Sequence, residues 1–435
     1  MTHESPTARR PLRLLLVGIG TRGDVQPMLA LAQAAAARGH QPRVAAPPEF
    51  RDWIEGHGFE FTPVGLNIRQ FIADNPEVLT GRPAKAMADW QKFFETLPQQ
   101  ARAVRAAAQG VHAIVWGGLA FSVPSVAEFL RIPALGVLYS TSLIPSAQHP
   151  PVALPWQNLP RWANRLLWFI NRAMGERMLG PILTSARAEL GLPRVGMHQH
   201  MFKDAHFMVA TDEEVFPSDP AWGGRFARAS YVFYDDPAPL DAQLQAWLDA
   251  GEPPVFVDFG SMSGAGTERA SGVVLQALAG TGRRCLIGAG LVSAGAHQKL
   301  PTGWRVVRAA PHALLFPRLA AVIHHGGAGT IANALRAGVP QVILPLILDQ
   351  YQHAHRLHLA GLVPPAVPME RITAKGLLEA LNAALALPAT RRRQVAERLR
   401  ASDGRGEIVR RVEAMVDALP NAEPAAGVRL RASSA

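Results

Sequence analysis

The chain has 435 residues, 48% hydrophobic and 18% charged, with a formal net charge of +10. That composition excludes a disordered chain and suffices for two or three domain cores. One cysteine, Cys285, excludes an internal disulfide and a multi-thiolate zinc site, and no window holds the ~18 apolar residues of a membrane span.

In chain order, residues 1–10 are polar and read as a loose N-terminus. Residues 14–19 form a continuous apolar run, as in a strand buried on both faces. A helix is expected over 27–38, with Pro27 in its first position and Gly39 at its C-terminal cap. Further strands are expected at 43–46, 113–117, 134–139 and 208–211, with a helix over 123–130. Strand and helix in alternation make a parallel sheet covered on both faces. Residues 236–254 turn to linker composition around a short helix at 240–248. The alternation then restarts, with strands at 255–259, 284–288, 304–308, 321–324 and 341–346 and a helix at 331–337. The expected architecture is α/β, two Rossmann-like lobes with parallel sheets facing across a cleft. The lobes span 11–235 and 253–395, joined by a linker at 236–252. A helix over 396–418 is expected to cross back to the first lobe, ahead of a disordered tail at 419–435.

The stretch VGIGTRGDVQP carries Gly18, Gly20 and Gly23 in the dinucleotide spacing G-x-G-x-x-G. A dinucleotide site also needs an acidic residue about 20 positions on, to hold a ribose. The candidate, Glu49, lies beyond Pro47 and Pro48, past the natural strand end, and Asp24 interrupts the run from Gly23 into a helix. The turn at Gly20, Thr21 and Gly23 is therefore read as a tight strand-to-helix connection with exposed N–H groups. It places Asp24 at the carboxyl edge of the first strand, where open parallel sheets present reactive residues. Asp24 is either a cleft-facing base or a helix N-terminal carboxylate contributing at most about 1 kcal/mol.

The segment VIHHGGAGTIANALRAGVPQVILPLILDQYQHAHRL is the most informative. A strand delivers His324 and His325, a loop without bulky side chains follows, and Thr330 opens a helix. Free N–H groups, a helix dipole and glycines that admit a phosphate make an anion site. No Lys follows the last Gly, so it is not a P-loop. Neighbouring strand residues face opposite ways, so the two histidines do not form a zinc pair. Packed histidines in a plain turn are the alternative. Asp349 and Gln350 end the next strand, where they can bond ligand hydroxyls or cap a helix. GSMSG adds a third strand-end turn with Ser261 and Ser263.

GTRGDVQPMLALAQAAAARGH, PVFVDFGSM, APHALLFPRLAAVIHHGGAGT and VILPLILDQYQHAHRL together resemble the GT-B glycosyltransferases of the UDP-glycosyltransferase superfamily. Within it the chain is similar to the bacterial natural-product and sterol glucosyltransferase branch, over about 11–415. The resemblance implies Asp24 as catalytic base. It implies Ser261, His324, His325, Gly326, Gly329 and Thr330 around a donor diphosphate, Asp349 and Gln350 on the donor sugar, and Ala309, Ala310 and His312 along the nucleotide base. Plant members stack a Trp where Ala309 stands and pair a catalytic His with an Asp where Trp116-Gly117-Gly118 stands. Neither their donor choice nor their dyad carries over.

The implied reaction is inverting transfer of a hexose from a UDP- or dTDP-sugar to a hydroxyl of an apolar acceptor: a sterol, hopanoid, polyketide, phenolic or lipid. The nucleotide sugar is a co-substrate and no cofactor or nucleic-acid partner is expected. No D-x-D occurs in the chain, so no metal is expected either. Phe71, Trp90, Phe93, Phe94, Trp156, Trp162, Trp168 and Phe169 are acceptor-side candidates. The basic aromatic segment 156–190 reads as an acceptor wall, as a helix packed on its own lobe, or as a weak peripheral membrane contact. The expected location is cytoplasmic, peripheral to the inner membrane face in the last case. The competing functions are a catalytically inactive GT-B partner protein and a Rossmann oxidoreductase using Glu49.

Overall fold

The computed structural model describes residues 10–75, 77–80, 83–152, 154–202, 206–260, 267–293 and 300–419. The first lobe is a seven-stranded sheet of β1 (Arg13–Ile19), β2 (Gln41–Ala46), β3 (Glu60–Pro63), β4 (Ala113–Gly118), β5 (Ala134–Leu138), β6 (His206–Ala210) and β7 (Ala227–Ala229). Its order is β3-β2-β1-β4-β5-β6-β7, and each pair is parallel. The second lobe holds β8 (Val255–Asp258), β9 (Cys285–Gly288), β10 (Trp304–Val307), β11 (Ala321–His324) and β12 (Gln341–Ile343), in the parallel order β10-β9-β8-β11-β12.

Both sheets are covered on both faces, which is why their strands are nearly uninterrupted apolar runs. In β1, Leu15, Val17 and Ile19 enter the core on one face and Leu14 and Leu16 that on the other. In the second lobe Val255 and Val257 divide from Phe256 in the same way. Strand order reverses between β1 and β4, and again between β8 and β11. In an open parallel sheet such a switch point leaves a crevice beyond the strand ends. Here each crevice receives one of the glycine turns.

The first helix runs Arg22–Ala37 and so encloses Pro27, which the sequence placed at its start. Thr21 and Asp24 cap the helix upstream of the proline. Proline removes one N–H late in the opening turns without stopping the helix. The helical span expected over 396–418 is two helices. Ala389–Ala401 packs Val395 and Leu399 onto Ile331 and Leu335 of the second lobe. Gly404–Asp417 packs Ile408, Val409, Val412 and Val416 into the first-lobe core beside Val25, Met28 and Leu31. Asp403 makes the break, accepting from Gly406 N–H at 2.9 Å. The short polar edge strands β3 and β7 have no counterpart in the sequence reading.

Candidate functional site

At the β1–β4 switch point the β1 carbonyl edge turns through Gly20 into the first helix. Thr21 N–H donates to Asp24 Oδ2 at 2.8 Å, and the Thr21 hydroxyl donates to the same oxygen at 3.3 Å. The sheet register sets Ile19 beside Gly118. Both glycines make room for the carboxylate. A Cβ on Gly20 would overlap Asp24 Oδ2, and one on Gly118 would stand 2.8 Å from Oδ1. Asp24 is half-buried. Burial raises its carboxyl to about 7; Thr21 N–H opposes the rise, and Asp349 from the other lobe adds to it. Beside it the Tyr139 hydroxyl is buried with no partner among the described residues, and burial and the Asp24 charge push its phenol up.

At the β8–β11 switch point the two histidines separate. His324 is fully buried. Its Nδ1 accepts from Gly326 N–H at 3.1 Å, so Nε2 carries the proton and donates to Gln341 Oε1 at 3.1 Å. Burial lowers its pKa to about 3, so it is neutral. The sequence reading set His324 around a diphosphate; in the structure both ring nitrogens are spent on the fold, because the strand turns it to the core. His325 faces the other way, half-buried. Burial lowers it to about 4, and its Nδ1 has no partner among the described residues. Its Nε2 folds over Gly327, where a Cβ would stand only 2.6 Å away. Gly326 takes φ +98°, which leads the chain into the helix Ala328–Ala337 with Gly327 as N-cap. The N–H groups of Ala328, Gly329 and Thr330 then have no intrahelical acceptor. A Cβ on Gly329 would meet nothing within 4 Å, so the approach to these donors is open.

Asp349 caps the helix Gln350–Leu359 and is half-buried. His353, one turn on, ties the two loops together. It lies 2.9 Å through Nδ1 from Gly326 O and 3.6 Å through Nε2 from Asp349 Oδ2. Sequence reasoning missed it, although its spacing of four from Asp349 puts both on one helix face. Gln350 is buried. Its Oε1 accepts Leu346 N–H at 2.8 Å and Ile347 N–H at 3.1 Å, so its acceptor shapes the loop and only its amide NH₂ is left for a sugar.

His312 stacks on Phe316 at 4.3 Å, half-buried, and burial lowers it to about 4. Arg22 across the cleft lowers it further, which sets His312 opposite the first-lobe turn. Ala309 is exposed and Ala310 half-buried on the same approach. Ser261 and Ser263 lie outside the described residues, as do 1–9 and most of the expected tail. Glu49 does not reach a ribose position. Its Oε1 accepts the N–H groups of Ile68 at 2.7 Å and Arg69 at 3.3 Å, capping a helix, which removes the feature the oxidoreductase reading needed.

The acceptor-side aromatics also divide. Phe71, Trp90, Phe93 and Phe94 interlock with Phe121 as part of the first-lobe core. Trp168 donates to His149 O at 2.9 Å, while Trp156, Trp162 and Phe169 are exposed. His149 is buried with Nε2 unpartnered among the described residues.

Comparison with known proteins agrees with this geometry. Residues 14–136 match the glycosyltransferase family 28 N-terminal domain, and 286–415 match the erythromycin biosynthesis protein CIII-like C-terminal domain. Glycosyltransferase GtfE of Amycolatopsis orientalis is 36% identical over 390 residues, covering 87% of this chain and 91% of that protein. A vancomycin aglycone glucosyltransferase of the same organism is 34% identical, covering 80% and 84%. A sterol 3-beta-glucosyltransferase of Arabidopsis thaliana is 28% identical, covering 85% of this chain and 62% of that one. Among solved structures, the calicheamicin glycosyltransferase CalG4 superposes with a TM-score of 0.68 at 19% identity, over 95% of this chain and all (100%) of that one. Two parallel-sheet lobes, a glycine loop at each switch point and a relative 36% identical over 91% of its own length lead to one assignment: the chain belongs to the UDP-glycosyltransferase superfamily and is a glycosyltransferase of GT-B fold.

Proposed function

We propose that the chain transfers a hexose, with inversion, from a UDP- or dTDP-sugar to a hydroxyl of an apolar natural-product or sterol-like acceptor. The observation that carries this is the pairing of Asp24, at about 7, with an open helix N-terminus at the facing switch point. The acceptor oxygen attacks the anomeric carbon from the side opposite the nucleotide, and its proton passes to Asp24. A base near neutral pKa is matched to that task at physiological pH. The bond to the β-phosphate oxygen breaks in the same step. The negative charge it leaves meets the N–H groups of Ala328, Gly329 and Thr330, the helix dipole and a His325 N–H. With no D-x-D in the chain, these fixed donors are assigned the work a metal would do. Asp349 bonds the sugar hydroxyls. His312, Ala309 and Ala310 border the base.

The names of the relatives support the acceptor class: one acts on a vancomycin aglycone, another on sterols. A solved neighbour, VinC at 23% identity, was crystallised with dTDP, which supports a nucleoside-diphosphate donor. The test has two arms. Asp24→Asn should lower kcat by ~100-fold or more while leaving nucleotide binding intact. In a thermal-shift panel of UDP, dTDP, UDP-glucose, dTDP-glucose and NADH, one nucleotide and its sugar conjugate should stabilise the protein and NADH should not. Near wild-type turnover of the variant, or stabilisation by NADH alone, would overturn the proposal.

A further inference from the structure

Among the described residues, the first half of the helix Arg161–Glu189 has no partner on its outer side. Trp162, Leu166, Phe169, Ile170 and Met174 are 68%, 50%, 71%, 43% and 46% exposed. At 100° per residue they fall on one stripe. Side chains of this size and kind rarely stand together in water, and a contiguous patch of them marks an interaction surface. Arg161, Arg165 and Arg172, all exposed, run along one side of the stripe, and Arg177 follows at its end. The only carboxylate in 161–177 is Glu176, which turns inward to accept the N–H groups of Met197 at 2.9 Å and His198 at 3.0 Å. It also lies within electrostatic reach of Arg172, so the stretch carries four arginines against one carboxylate.

The helix is fixed at the cleft rim. Asn164 Nδ2 donates to Ala147 O at 3.0 Å, and Trp168 Nε1 donates to His149 O at 2.9 Å. Both carbonyls belong to the loop that leaves β5 at the carboxyl edge of the first sheet.

We propose that this face docks on the anionic surface of a lipid bilayer. An apolar stripe rich in Trp and Phe, bordered by arginines, is the pattern of a helix lying in the membrane interface. No helix of the described residues is long and apolar enough to cross a membrane, so the mode is lying on it. A second copy of the chain is a poorer occupant. A twofold contact would set the arginine row against itself, with one carboxylate per copy to answer four arginines. Docking here brings the acceptor side of the cleft to the lipid surface. The inference does not rest on the sugar-transfer reading, since vesicle binding is measured without turnover.

The experiment is flotation of the full chain with vesicles of phosphatidylcholine alone or mixed with phosphatidylglycerol, at low and high salt. The protein should float with the anionic vesicles, stay behind with the neutral ones, and be released by salt. Arg161→Glu, Arg165→Glu and Arg172→Glu together should lower partitioning by ~100-fold or more, about fivefold for each arginine lost. Trp162→Ser with Phe169→Ser should lower it comparably. Melting curves matching the wild type will show that these exposed changes leave the fold intact, and the salt response of the wild type requires no variant. Three results would overturn the proposal: no flotation with anionic vesicles, flotation indifferent to both sets of changes, or a dimer in light scattering that Trp162→Ser with Phe169→Ser dissolves.

Discussion

At Asp24, burial and ionisation pull against each other. The carboxyl sits at about 7 in the folded chain against 3.8 for an aspartate in water, so folding favours its protonated form. The contribution to stability is full below about 4, fades as pH rises, and is lost above about 7, where the ionised carboxylate is a cost. Activity runs the other way, since the base must be ionised. Two outcomes are expected together: kcat/KM should fall about tenfold per pH unit below 7, and Asp24→Asn should raise the melting temperature at pH 8 while lowering turnover ~100-fold or more. A pH–rate profile and a melt at two pH values check both; a variant melting lower than wild type at pH 8 would contradict the burial argument. Gly20 tests the notch itself. Gly20→Ala drives a Cβ into Asp24 Oδ2 at a backbone φ of +144°. Turnover should drop at least as far as in Asp24→Asn, with unchanged binding of a nucleoside diphosphate read by calorimetry.

The elements show what a sequence pattern can carry. Strands β1, β4, β8 and β11 were legible because each is buried on both faces and needs an unbroken apolar run. The glycine turns after β1 and β11 were legible because a backbone that approaches a neighbour closely excludes side chains. The first helix was misplaced because Pro27 was read as a start signal, while Thr21 and Asp24 cap the chain one turn earlier. His324 was assigned to the cleft because sequence does not tell which of two adjacent strand residues faces out. Partners distant in the chain were not legible either. Glu413 on the last helix is buried and accepts from Arg38 at 2.8 and 2.9 Å and lies 2.8 Å from His40 Nε2 on the first-lobe side. His40 Nδ1 already accepts from Leu12 N–H at 3.2 Å, so its Nε2 is the donor. Glu413→Ala leaves the His40 N–H facing a buried gap while the exposed Arg38 turns to water, and a loss of roughly 2 kcal/mol is expected in denaturant unfolding. A loss below about 0.5 kcal/mol would show that water or a shifted helix replaces the pair.

Across the whole molecule, the two halves of the site belong to different lobes, so their separation is a functional variable. Arg398 of the second lobe pairs with Asp212 of the first through two hydrogen bonds of 2.9 Å, and three further features limit it. The last helix returns to the first lobe, with Gly404 pressed onto the Ser230 backbone. Val215, Phe216, Tyr231 and Phe233 of the first lobe share a core with Ile331, Leu335 and Leu357 of the second. Near the site, Gln352 Oε1 accepts from the Ser140 hydroxyl at 3.3 Å and the Thr141 hydroxyl at 3.2 Å. The first two are apolar and extensive, so they fix the hinge side. The third is a pair of long hydrogen bonds, each contributing about 1 kcal/mol or less, so it can yield without unfolding either lobe. Gln352→Leu keeps the side-chain bulk and removes the acceptor. Asp24 should then stand farther from Asp349 on average, with kcat/KM down about tenfold, because a misplacement of even 1 Å lowers turnover by as much as 100-fold. The melting temperature should hardly move, since each lobe keeps its own core. Solution scattering of the free variant should show a larger radius of gyration, returning toward the wild-type value when a nucleoside diphosphate bridges the lobes. If neither the kinetics nor the radius changes, the Gln352 contact does not control closure, and the hinge-side contacts set the distance between Asp24 and Asp349.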